Sequence, residues 1–300
     1  MVKKNGSAKK EEKQEQQKGG FRAWLREMAI VFGIFLVLNS FVLASFEVPT
    51  GSMENEIQTG DFLLVNKFVF GGTTPRTIPF TNVRIPAFKL PSLWQVERGD
   101  VIVFIFPGLR DEVQATDFAY YLKRCMAVSG DTLKVVNRVV YVNGKPAPVP
   151  RNIKFNSALI KPERYADSRV FPKGAPFNED NYGPIVIPRK GDVIQLNVDN
   201  YEQWDTFIRR EGHATELRNG KIYVDNVVRN SYTVGQDYVF GMGDNRDNSL
   251  DSRFWGFIPV SSVVGSPLVV YWSWDSDLPL QDVVNKITSV RWGRIGAIVH

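Results

Sequence analysis

The sequence has a single cysteine, Cys125, and only two histidines, His213 and His300. One cysteine excludes an internal disulfide. Together these residues are too few for a His/Cys zinc site, so no metal ligands and no cofactor are expected. A Ser-His-Asp triad would have to take its base from His213 or the last residue, and neither sits in a supporting motif. A hydrolase built on this chain is therefore expected to use a base other than histidine. Excess charge is also scarce outside one end. The net charge is +5, and residues 1–28 supply +4 of it through eight basic and four acidic groups. The high pI belongs to a tail, and no nucleic-acid partner is expected.

One long apolar run is present. Met28–Phe46 (MAIVFGIFLVLNSFVLASF) has 19 residues and no charge. At 1.5 Å per residue such a helix just spans a bilayer core of about 30 Å. Residues 28–46 are expected to form a single transmembrane anchor behind a disordered basic tail, 1–27. The basic tail predicts a cytoplasmic N-terminus with the remainder on the other side. A cleaved secretory signal is the alternative, but its basic region would be far too long.

From residue 47 onward the pattern is β. Four Gly-Asp pairs, at 60–61, 99–100, 130–131 and 191–192, each lead into an apolar run, a turn-then-strand signal. Residues 139–145 and 221–228 read as hairpin strands. Tyr201–Glu211 and Gln281–Ser289 are the helical candidates. Residues 71–97, rich in Pro, Thr and aromatics, read as an apolar loop at the lip of a site. Residues 146–190 are proline-rich with little periodicity, as in a smaller inserted unit. The expected fold is mainly β, with two antiparallel sheet domains. A first domain, 47–144 and 236–300, is split by a second at 145–235.

Three stretches could carry chemistry. Pro49-Thr50-Gly51 turns the chain just before a lone hydroxyl, Ser52. The residues alone leave it a nucleophile or an ordinary turn serine. Lys123 lies in an apolar strand, where alternation puts it on one face with Tyr121 and Cys125. A lysine desolvated there would lose basicity and could act as a general base; an edge-strand lysine that snorkels to water is the other reading. Finally, Gly241–Arg253 packs three Asp, two Asn, two Ser and two Arg into thirteen residues. That density suggests a hydrogen-bonded knot. Its spacing does not match a calcium loop, and Arg246 would oppose a cation.

These motifs resemble those of bacterial type I signal peptidases, Ser-Lys proteases that remove signal peptides from exported proteins. Pro49–Met53 resembles the family's nucleophile turn, Arg98–Phe104 its second strand motif, Lys123-Arg124 with Gly130-Asp131 its base motif, and Gly243–Arg253 its last motif. The resemblance runs from the apolar run to about residue 272. It implies that Ser52 attacks the scissile carbonyl, Lys123 takes its proton, Ser249 orients the lysine amine and Thr50 adds a hydroxyl to the oxyanion hole. It implies that Pro49, Met53, Ile57 and Tyr121 line shallow substrate pockets. Arg124, Asp244, Asp251 and Arg253 would form structural ion pairs.

The resemblance also implies preprotein signal peptides cut after small-x-small sites as substrates, the lipid bilayer as a partner and a monomeric enzyme. The location implied is the bacterial cytoplasmic membrane, single-pass, with the catalytic domain on its outer side. A narrow-substrate processing peptidase of the same type and a non-catalytic, membrane-tethered peptide-binding β domain are the competing readings. The chain departs from the family pattern at Glu54, Asn55 and Glu56, and the negative charge of Glu54 and Glu56 is expected to raise the lysine pKa. Ala127 and Ser129 replace the usual Gly and Pro of the base motif.

Overall fold

The structure, a computed structural model, describes residues 5–73 and 88–300, with side chains from Gly20 onward. Helix α1 spans Asn5–Phe41. It thus begins inside the segment expected to be disordered. Its first twenty residues have few apolar side chains but are rich in Lys, Glu and Gln, all good helix formers. The apolar run is also not one helix. α1 stops at Phe41, and Leu43–Glu47 forms β1, paired antiparallel with β2, Asp61–Asn66. The helical part from Met28 is fourteen residues, about 21 Å long. Among the described residues, no helix is long and apolar enough to cross a membrane. The large apolar side chains of α1 from Phe21 to Leu38, Trp24 and Phe35 among them, are exposed, apart from the half-buried Leu36.

The remaining strands follow in chain order. β3 is Val101–Ile105 and β4 Tyr120–Val128. β5 is Thr132–Val136, β6 Val139–Val142, β7 Lys145–Pro146 and β8 Tyr182–Val186. β9 is Val193–Gln195, followed by helix α2, Tyr201–Arg210. β10 (Thr215–Arg218), β11 (Lys221–Val224), β12 (Val227–Val228) and β13 (Ser231–Thr233) come next. The chain ends with β14 (Tyr238–Met242), helix α3 (Ser252–Trp255), β15 (Ile258–Pro259), β16 (Val263–Ser273) and helix α4 (Val283–Thr288).

A seven-stranded antiparallel sheet runs in the order β1-β2-β16-β3-β4-β14-β15. The chain leaves it after β4 and returns at β14, which pairs with β4. Everything between is the insertion. It holds a four-stranded sheet, β7-β6-β5-β8, a three-stranded sheet, β10-β11-β12, and the β9–β13 pair. The insertion therefore opens near Ser129 rather than at 145, because β5 and β6 take their partners from inside it. The two halves share one core: Met126 and Phe240 of the large sheet pack with Leu133, Val140, Tyr182 and Phe207 of the insertion.

All four Gly-Asp pairs are the same turn. Their glycines have φ of 84°, 98°, 86° and 89°, the third-position geometry of a type II turn. Each aspartate carboxylate accepts the N–H three residues back, from Gln58, Glu97, Val128 and Arg189, at 2.8–2.9 Å. Each then starts or precedes a strand. Arg98 also donates to Asp131, at 2.7 Å through Nε, tying the second turn to the third.

Candidate active site

Ser52 stands on the loop between β1 and β2. Val48 N–H donates to Asp61 O and Gly60 N–H to Val48 O, both at 2.9 Å, closing that loop at its base. Within it, Glu54 N–H reaches Gly51 O at 3.1 Å and Ile57 N–H reaches Met53 O at 2.9 Å. Gly51 is not needed for its backbone freedom. The positive φ values in the loop belong to Asn55, at 83°, and Gly60, at 84°, and a Cβ on Gly51 would meet nothing nearer than 3.7 Å.

Lys123 lies on β4, on one face with Tyr121 and Cys125. Both pack with Phe104, Trp255 and Ile258. Lys123 Nζ is 2.6 Å from Ser52 Oγ, and it donates to the Leu122 carbonyl at 3.0 Å. The lysine is 2% exposed and the serine 9%. Tyr121 stacks on Phe106 with centroids 4.3 Å apart, and the amine lies 5.5 Å from the Tyr121 ring. Burial lowers the Lys123 pKa to about 8; Asp251 and Asp244 pull it up, and Arg253 pushes it down. Near pH 8 a large share of the amine is therefore neutral. Its lone pair can then accept the Ser52 proton.

The segment after β14 backs this pair. Asn245 N–H donates to Ser52 O at 3.1 Å, and Asn245 Nδ2 donates to Gly51 O at 3.0 Å. Gly243 is required by space: a Cβ there would lie 2.5 Å from Ser52 O and 2.2 Å from Ser249 Oγ. A Cβ on Gly241 would lie 3.0 Å from Lys123 Cβ. Two buried ion pairs lock the segment. Arg124 meets Asp244 at 2.6 Å, and Arg253 meets Asp251 at 2.8 Å. Burial alone would raise the Asp251 carboxyl, but Arg253 and the Gly243 N–H hold it below its usual range.

Several expected residues are placed differently. Ser249 is buried, but its hydroxyl has no hydrogen-bond partner among the described residues; the Leu122 carbonyl holds the amine instead. Met53 and Ile57, at 1% and 0% exposure, belong to the core with Leu63, Val101 and Val270 rather than to an open pocket. Pro49 and Thr50 are exposed and Tyr121 is half-buried. Glu54 and Glu56 do not act on the lysine: Glu54 pairs with Lys154 at 2.8 Å, and Glu56 accepts from Asn152. Their charge is directed to those partners.

The sequence reading gave no role to Asn245 or to the glycines 241 and 243. Their only signal was position inside the dense motif. It gave the C-terminal arginines no place at the site either. Arg294 pairs with Asp61 at 2.6 Å and donates to Glu56 O at 3.0 Å, while Arg291 donates to Thr59 O at 3.0 Å. Through these two arginines the C-terminal segment packs on the Ser52 loop. Of the lip loop 71–97, residues 74–87 lie outside the described residues.

A model of the signal peptidase family, peptidase S26, matches residues 21–272. The chain belongs to the signal peptidase family. Among its relatives, a signal peptidase I of Helicobacter pylori strain J99 is 30% identical over 291 residues, covering 91% of this chain and 90% of that protein. One from Aquifex aeolicus is 26% identical over 287 residues, covering 90% and 91%. One from Pseudomonas aeruginosa is 29% identical over 257 residues, covering 81% and 70%. Signal peptidases of this family are serine endopeptidases that remove signal peptides, and that is the activity class of this chain.

Proposed function

We propose that Ser52 is the nucleophile and Lys123 the general base of a membrane-attached signal peptidase that cuts preproteins after small-x-small sites. The observation that carries this is the 2.6 Å contact between a buried lysine amine and a buried serine hydroxyl, with the amine pKa lowered to about 8. Neutral Lys123 accepts the Ser52 proton as Oγ attacks the scissile carbonyl. The resulting ammonium then protonates the leaving amine, and a water repeats the sequence on the acyl-enzyme. The Ser52 N–H has no acceptor among the described residues, which leaves it free for the oxyanion. Thr50, exposed beside it, supplies a second donor in this reading.

Pro49 and Tyr121 flank the dyad from the solvent side and contact the substrate. Ser249 keeps an unused hydroxyl in the same wall, available to the lysine amine once substrate is bound. The apolar, exposed side chains of α1 behind a basic segment support attachment to the bacterial cytoplasmic membrane. In this reading the N-terminus is cytoplasmic and the sheets lie outside. The enzyme acts as a monomer.

The test is cleavage of a detergent-solubilised preprotein, with the product N-terminus sequenced. The wild type is expected to cut after a small-x-small site, and Ser52→Ala to be inert with an unchanged melting temperature. Activity in Ser52→Ala would remove the assignment.

A further inference from the structure

The insertion sends one segment, Asn152–Ser157, back across the nucleophile loop. Its backbone pairs with the dense motif: Lys154 N–H donates to Asp244 O and Arg246 N–H to Lys154 O, both at 2.8 Å. The Asn156 and Ser157 N–H groups both donate to Asp247 Oδ2, at 2.7 and 2.8 Å. Its side chains reach the residues where the chain departs from the family pattern. Lys154 Nζ donates to Glu54 Oε2 at 2.8 Å, and Asn152 donates to Glu56. The same Glu54 oxygen accepts from Asn245 Nδ2 at 3.1 Å, and Asn156 donates to Asn245 Oδ1 at 3.0 Å. Asn245 in turn holds the carbonyls of Gly51 and Ser52.

We infer that Asn152–Ser157 is a strap that sets the Ser52 loop, and that Lys154 and Glu54 are positioning residues acting through Asn245. This rests on Ser52 and Lys123 being the dyad. The unusual Glu54 and Glu56 then have a physical reason: they are the loop's attachment points for the strap. The Lys154–Glu54 pair is half-exposed, with side chains 32% and 43% accessible. Such a pair adds little to global stability. Its effect falls on geometry. The Glu54 carboxylate, drawn to Lys154, fixes the Asn245 side-chain amide, which holds the Gly51 carbonyl, while the Asn245 backbone N–H holds the Ser52 carbonyl. Small displacements of a reacting group have large rate effects.

The test is steady-state cleavage of a preprotein by the full chain, with thermal unfolding of each variant alongside. Lys154→Glu places like charges together and is expected to lower kcat about tenfold, with KM and melting temperature little changed. Lys154→Arg keeps the pair and is expected to stay near wild type. Glu54→Gln added to Lys154→Glu removes the repulsion and keeps an oxygen for Asn245, so kcat is expected to recover in the double variant. Wild-type kcat in Lys154→Glu, or a further loss in the double variant, would overturn the strap. If Lys154→Glu melts early, the Lys154→Met variant gives the reading without repulsion: a kcat loss supports the strap, and wild-type kcat overturns it. Ser52→Ala and Lys123→Ala run beside these variants. Activity in either one refutes the dyad itself, whereas inert dyad variants with an unaffected Lys154→Glu refute the strap alone.

Discussion

Burial of Lys123 ties stability to pH. Its pKa is near 10.5 in the unfolded chain and about 8 in the folded one. Between those values the unfolded state holds a proton that the folded state has released. Stability therefore rises as pH increases from about 8 to 10.5, and it is lowest, for this group, below pH 8. The gap corresponds to about 3 kcal/mol. Lys123→Met is expected to be more stable than wild type at pH 7, and the difference between them should shrink across that window. A constant difference from pH 7 to 10.5 would contradict a neutralised lysine. The lysine's face was legible in sequence because alternation along one strand needs no tertiary information. The lack of a bond from Ser249 was not, because it depends on how Gly243 brings the two segments together.

The two ends of the loop that carries Ser52 differ in what they demand of glycine. Gly60 has φ of 84°, and a Cβ there would sit 2.1 Å from the Trp274 carbonyl oxygen, while Gly51 has neither constraint. Gly60→Ala is expected to cost more than about 2 kcal/mol, and Gly51→Ala less than about 0.5 kcal/mol. Denaturant unfolding checks the ranking, and a reversed order would refute this description of the loop. The Gly-Asp turns were readable because residue type and backbone geometry are linked locally. The end of α1 was not. Leu43–Glu47 is apolar enough to continue the helix and becomes a strand because Asp61–Asn66, far along the chain, offers it a partner. Met53 and Ile57 show the same limit: their apolar character was evident, but whether they face a pocket or the core is set by Val101 and Val270 on other strands.

Across the whole molecule, the proposed dyad comes from a loop before β2 and from β4, strands separated in the sheet by β16 and β3. The motif after β14, which follows the insertion, closes the site from behind. The order of motifs along the chain was visible in sequence. The early start of the insertion and the return of its strap to the nucleophile loop were not, since both are long-range pairings. The central claim is that this assembly buries Lys123 so that it can serve as the base for Ser52. It is tested most directly by the pH dependence of kcat/KM on a preprotein, for wild type and Lys123→Met. The account predicts an acidic limb near pH 8 in wild type, and a loss of about a thousandfold or more in the variant. A limb well below pH 7, or a variant within tenfold of wild type, would contradict it.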